Sequence, residues 1–230
     1  IFYAPFMFDS WDEEWRVVDS DWYQGLCDEL AEKGRIRVLA SNWIYGARDI
    51  LSTKKVVLPE DLDSLKLRVS SNDLSITSFT DLGANALGMD MGDVYQALQA
   101  GTIDAVENPI TSLANRSFQE VAKYLVKDEH ILATSMWICG EDFYSTLTDE
   151  QKQILTESAE EAGLVNNDLY DQATEEAEQL LIDAGVEITE LTDEQKAAWI
   201  EAGQKFYNED AAGLGWSEGL YDTVKAAGQE

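Results

Sequence analysis

Basic residues are scarce in this 230-residue chain: 16 Lys and Arg stand against 45 Asp and Glu, a formal net charge of −29. Such a balance repels phosphate backbones and anionic membrane surfaces, and it leaves no basic stripe for nucleic acid. Histidine occurs once, as His130. With no second His and no suitable Cys pair, zinc chemistry and a Ser-His-Asp triad have little support, and His130 reads as structural. Cys27 and Cys139 match no metal or redox spacing, so two buried free thiols are expected rather than a bridge. No run of about 18 apolar residues is present to span a bilayer. Walker and Gly-x-Gly-x-x-Gly stretches are missing, and the Asp/Glu runs lack the glycine and spacing of a calcium loop. Carboxylate pairs such as Asp90 with Asp93 and Asp104 with Glu107 do occur. In so acidic a chain their abundance makes any one pair uninformative. The expectation is a protein that is not an enzyme and uses no cofactor or metal.

What is present suffices for a sizeable core, since 45% of the residues are apolar. The chain opens in Ile1-Phe2-Tyr3-Ala4-Pro5-Phe6-Met7-Phe8, with neither an initiator Met nor a basic leader, which reads as a start inside a domain. Ser10-Trp11-Asp12-Glu13 is a capping-box pattern that should open a helix toward Val18, and a second helix should run from Trp22 to Lys33 and end at Gly34. Ile36–Ala40 and Lys66–Ser70 read as strands, with a short Pro-led helix at Leu58-Pro59-Glu60-Asp61-Leu62 between them. Helices over Leu74–Leu82 and Gly92–Ala100 flank a short strand at Ala86–Met89, and another strand follows at Ile103–Val106. Strand and helix alternate, which predicts α/β lobes with mostly parallel sheets. Ile131–Cys139 is apolar enough for a strand buried on both faces. Leu-Thr-Asp-Glu-Gln-Lys occurs at Leu147 and again at Leu191, giving two independent capping boxes. The first should open a helix reaching Ala184, bent near Gly163 and about 55 Å long, which is too long for one small lobe.

Only six arginines occur, and they carry the chemical signal. In Leu65-Lys66-Leu67-Arg68-Val69, alternation sets Arg68 apart from Leu67 and Val69, near the carboxyl end of a strand, where open α/β sheets bind ligands. A guanidinium there can hold a carboxylate by two parallel charge-assisted hydrogen bonds, a fork lysine lacks. Arg48 follows Tyr45-Gly46-Ala47, where glycine would permit a close turn after a strand carrying Trp43. Asn108, between Glu107 and Pro109, falls at another strand end, with an amide able to donate and accept. By sequence alone, each arginine could equally be a surface residue paired with an acid, and Asn108 a turn residue.

Several segments resemble the substrate-binding proteins of tripartite ATP-independent periplasmic (TRAP) transporters, which include dicarboxylate- and sialic acid-binding members. They are Trp43-(x)2-Gly46-x-Arg48, Leu58-Pro59-Glu60-Asp61-Leu62 leading to Leu65-Lys66-Leu67-Arg68-Val69, Leu82-Gly83-Ala84-Asn85, Asp93 through Pro109, and Phe118-(x)2-Val121-x-Lys123-Tyr124. The resemblance implies a two-lobed α/β clamp of the periplasmic-binding-protein kind, with a long kinked helix bridging the lobes. Residues 1–45 and 134–172 would form lobe I, lacking its N-terminal part; 46–133 and 173–205 lobe II; and 206–230 a C-terminal helical segment. It further implies that Arg68 pairs with a substrate carboxylate, that Arg48 is a second pocket arginine, that Asn108 is a pocket amide, that Met91 forms a wall, and that Trp43 lies on the strand feeding the pocket. Ser70 stands where the family commonly has proline, Ala105-Val106 where Gly-Gln is common, and Met91 where Phe or Trp is usual. The implied function is periplasmic or extracytoplasmic capture of a small carboxylate, a sialic acid or uronate among the possibilities, for the integral membrane subunits of a transporter. A ligand-binding sensor module and, further off, an acid-pair hydrolase are the alternatives.

Overall fold

Local chemistry accounts for most element ends in the computed structural model, which describes residues 1–229. Helix α1 (Trp11–Asp19) begins at Ser10, whose Oγ accepts the Glu13 N–H at 3.2 Å. The Glu13 carboxylate returns to the Asp9 N–H, one residue earlier than a capping box requires. Helix α2 (Asp21–Gly34) keeps Gly34 as its last residue, and Arg35 takes the left-handed position at φ 56° while its side chain pairs with Asp142.

Strand β1 (Ile36–Ser52) is longer than expected and has no turn at Gly46. The glycine is needed for another reason, because the strand passes through it at φ 137°, a conformation L side chains rarely adopt. After a 3₁₀ turn at Pro59–Leu62 come β2 (Lys66–Val69), α3 (Asp73–Asp81), β3 (Asn85–Gly88), α4 (Val94–Gln99), β4 (Ala105–Pro109) and α5 (Ile110–Asn115). Strand β5 (Tyr124–Gly140) corrects the expectation of burial on both faces. Its first half is largely buried, but Met136, Trp137 and Ile138 are 49%, 51% and 51% exposed. An apolar run reports hydrophobicity, whereas burial depends on what the fold lays over it.

Helix α6 (Glu141–Ser145) leads to α7 (Asp149–Asp183), then β6 (Glu187–Glu190), α8 (Asp193–Lys205) and α9 (Leu220–Ala227). Both repeated hexapeptides act as full capping boxes. Thr148 Oγ1 accepts the Gln151 N–H and Gln151 Oε1 accepts the Thr148 N–H, and Thr192 and Gln195 repeat this. Helix α7 is continuous over 35 residues through Gly163. That glycine also allows close contact, since a Cβ there would lie 2.8 Å from Trp43 Cδ1.

The six strands form one mixed sheet in the order β3-β2-β4-β1-β5-β6. Strand β2 is parallel to β3 and β4, β5 is parallel to β6, and β1 is antiparallel to β4. The chain divides into two compact units, one of residues 1–7, 46–132 and 173–221, the other of 8–45, 133–172 and 222 onward. Thus the opening segment 1–7 and residues 206–221 cluster with 46–132. In the first unit, Leu51, Leu98, Val106, Leu113, Phe118 and Leu181 are buried together in the core. In the second, Leu39, Ala40 and Ala159 pack with Trp43, Tyr144 and Leu155.

Candidate functional site

Strand direction and register assemble the arginines. The parallel strands β2, β3 and β4 all end on one edge of the sheet, and Arg68 is the penultimate residue of β2 and Asn108 of β4. Strand β1 runs the other way, and its register sets Arg48 opposite Pro109 and Asp49 opposite Asn108. Arg48, in the second half of an unbroken strand, is thereby carried to the same edge, though twenty positions from Arg68 in sequence. Met91 opens the 3₁₀ turn just beyond β3, half-buried against the core cluster of that unit. Four of the five residues singled out from sequence therefore share one sheet edge. Trp43 belongs to the other unit, where its indole N–H donates to the Ala159 carbonyl at 3.1 Å and its ring lies 5.5 Å from Trp137.

The two arginines differ in their surroundings. Arg48 is buried and held by both oxygens of Glu107, Nε to Oε2 at 2.6 Å and Nη2 to Oε1 at 2.9 Å. Its charge is answered within the fold. Arg68 is only 4% exposed; its Nε donates to the Met89 carbonyl at 2.7 Å, and Nη1 has no hydrogen-bond partner. Burial lowers the Arg68 pKa, Glu107 opposing the effect and Arg48 adding to it. A buried guanidinium with an unsatisfied N–H is costly, and an acceptor of negative charge would relieve that cost.

Sequence reasoning missed the acids behind Arg48. Glu107 Oε2 lies 3.4 Å from His130 Nε2, and His130 Nδ1 lies 2.9 Å from Asp128 Oδ2. Burial raises the Glu107 pKa, but Arg48 and His130 outweigh it and bring the carboxyl down to about 2. Burial lowers that of His130, yet Asp128 and Glu107 prevail and lift it to about 9. The two acids thus favour the imidazolium form of His130, whose ring makes a T-shaped contact with Phe79 at 5.0 Å. The available signal was a Glu directly after the expected strand Ile103–Val106, which abundance of acids elsewhere concealed. A cavity of about 360 Å³ beside this network is lined by Tyr3, Arg48, Ser70, Asn72, Ser75 and Glu107, among others. Arg48 also stands over the Tyr3 ring at 5.8 Å. Among the described residues no group of three or more His, Cys, Asp or Glu could hold a metal, and no helix is long and apolar enough to cross a membrane.

Parallel strands linked through helices, with a buried cationic group unsatisfied at their carboxyl edge, are the arrangement in which open α/β sheets place ligand-binding groups. The chain belongs to the bacterial extracellular solute-binding protein family 7 (DctP), whose model matches residues 1–213. A solute-binding protein of Chromohalobacter salexigens is 32% identical over 207 residues, 89% of this chain and 60% of that protein. The fold is that of a TRAP periplasmic solute-binding protein from Ochrobacterium anthropi with bound L-fuconate, at TM-score 0.88 and 36% identity over 99% of this chain and 73% of that one. A counterpart from Actinobacillus succinogenes with bound L-galactonate gives TM-score 0.90 and 30% identity, over 99% and 74%. The chain spans about 60% of the length of the first curated relatives it matches.

Proposed function

We propose that this chain is the greater part of an extracytoplasmic solute-binding protein that captures a small organic acid and presents it to the membrane subunits of a TRAP-type transporter, without chemical turnover. The observation that carries this reading is Arg68, buried at the carboxyl edge of the sheet with Nη1 unsatisfied. A carboxylate is the ligand group that two guanidinium N–H donors fit best. Arg48, held by Glu107, shapes the field around Arg68 rather than supplying a second free charge. Asn108 and Met91 would contact the ligand beyond its carboxylate, and Trp43 lies on β1, the strand that carries Arg48. Both structural neighbours described above hold sugar acids, and the hydroxyl and amide groups of Ser70, Asn72 and Ser75 around the neighbouring cavity suit a polyhydroxylated acid. Calorimetric titration of the protein with L-fuconate, L-galactonate and their uncharged parent sugars tests the reading. Binding of an acid but not of its neutral parent, with the acid recovered unchanged, is the expected result. Equal binding of acid and neutral sugar, or conversion of the acid, would overturn it.

A further inference from the structure

We propose that the site selects acids with one carboxylate over diacids: Arg68 takes the carboxylate, and the cavity lined by Tyr3, Ser70, Asn72 and Ser75 takes an uncharged, hydroxylated chain. This rests on the function proposed above and narrows its ligand from organic acids to polyhydroxy monoacids.

Two arginines at one sheet edge suggest a clamp for two carboxylates, but their hydrogen bonds divide them. Arg48 directs Nε to Glu107 Oε2 at 2.6 Å and Nη2 to Glu107 Oε1 at 2.9 Å, so the fork that could receive a ligand carboxylate already holds one. The Arg48 and Glu107 side chains are 7% and 2% exposed. A ligand that displaced Glu107 would leave a buried carboxylate without its partner, which is strongly unfavourable. Burial opposes ionisation of Glu107, yet Arg48 and His130 bring its pKa down to about 2, so it is charged at neutral pH. The Tyr3 ring also covers the Arg48 guanidinium at 5.8 Å. Arg68, by contrast, has a buried Nη1 with no hydrogen-bond partner. One unsatisfied guanidinium calls for one ligand carboxylate.

The cavity suits the other end of such a ligand. Ser70 follows Arg68 by two residues, about 6.6 Å of extended chain, a span that a six-carbon acid covers. Of the residues lining the cavity only Arg48 and Glu107 are charged, and they pair with each other. The rest of the wall offers hydroxyls from Tyr3, Ser70 and Ser75, the amide of Asn72, and apolar surface from Leu74 and Phe79. Asn72 Oδ1 caps α3 by accepting the Ser75 N–H at 2.9 Å, which leaves its amide nitrogen to donate to a ligand hydroxyl. A second carboxylate placed there would meet ionised Glu107 with no cation to answer it, and like charges brought together away from water repel strongly. Arg116 is another cation whose charge reaches Arg68, but it is exposed and outside the cavity lining, where water and salt screen it.

L-Fuconate, L-galactonate and galactarate test this, because they share a carbon chain and its stereocentres and differ only at the far end: methyl, hydroxymethyl and carboxylate. In calorimetric titration at neutral pH, the two monoacids should bind and galactarate should bind at least about tenfold more weakly. Ser75→Lys, which adds a cation to the cavity wall, should shift the ratio of affinities toward galactarate. Asn72→Lys, at an exposed position of the same wall, serves in its place should Ser75→Lys fail to fold. Galactarate binding as tightly as L-galactonate to the wild-type protein would overturn the selection of monoacids while leaving the functional reading in place. An unchanged ratio in the folded lysine variant would remove this cavity as the place of the uncharged end. Absence of binding by all three acids would count against the functional reading itself, and this inference would fall with it.

Discussion

Arg68 and Arg48 would be hard to rank from sequence, because both lie in strand-like stretches of an acidic chain. In the structure the ranking follows from partners: Arg48 is held by both Glu107 oxygens, while Arg68 retains a buried N–H without an acceptor. Arg68→Lys should therefore weaken carboxylate binding more than tenfold although the charge remains, because the planar fork is lost. The cost should fall toward the lower part of the roughly 2–5 kcal/mol seen when one side of a desolvated charge pair is truncated. Arg35→Lys, at an exposed pair with Asp142, should change binding little. Calorimetry on both variants checks this, and wild-type affinity in Arg68→Lys would remove Arg68 as the clamp. A second residue-scale prediction concerns Glu14, fully buried in the other unit, with Oε1 accepting from Thr134 and Oε2 unpartnered. Burial raises its pKa from the ordinary 4.5 to about 8, the Thr134 bond opposing. The unfolded chain then loses this proton first as pH rises, so stability falls between about pH 4.5 and 8 and levels off above. Glu14→Gln should flatten that slope in denaturant unfolding across this range; an unchanged slope would show Glu14 to be ionised in the fold.

Elements were most legible where their ends rest on neighbours a few residues away. The capping boxes at Thr148 and Thr192 form as their four-residue patterns require, because the groups that satisfy each other are on the same turn. Strand β1 was less legible: its apolar pattern ends near Ala40, but pairing with β4 extends the strand to Ser52. Asn167 and Asn166 of α7 also support it, accepting from the Ile44 N–H and donating to the Asn42 and Ile44 carbonyls. At this scale Gly163 is the informative position. In an isolated helix Gly→Ala stabilises by about 1 kcal/mol. Here the added methyl would meet Trp43 Cδ1 at 2.8 Å and the Asn42 side chain. Gly163→Ala should accordingly destabilise the protein by about 1–3 kcal/mol, as overpacking does. Thermal unfolding checks the sign, and a stabilised variant would mean that α7 does not need this close approach.

At the scale of the whole molecule, the charge of −29 is a uniform property that no single contact offsets. Mutual repulsion should destabilise the folded state most at low salt, where the Debye length is about 30 Å, and less near physiological ionic strength, where it is about 8 Å. The melting temperature should therefore rise with added sodium chloride; a melting temperature independent of salt would show the acidic surface to be locally compensated. The sequence by itself pointed to the first five strands, to the helices as far as α4, to the capped starts of α7 and α8, to the acidic character and to the family resemblance, while β6, α5 and α6 went unread, because propensity, periodicity and capping depend on residues within about one turn of each other. It also pointed to Arg68 and Asn108, since strand ends in an α/β pattern are where ligand groups gather. Only the tertiary structure decided that β1 runs antiparallel to β4 and so brings Arg48 to that edge, that Glu107 pairs with Arg48 through both oxygens, and that His130 lies between two acids. Those outcomes depend on register and desolvation between segments that are distant in sequence, and an ion pair acquires its strength only once the fold has taken both partners out of water.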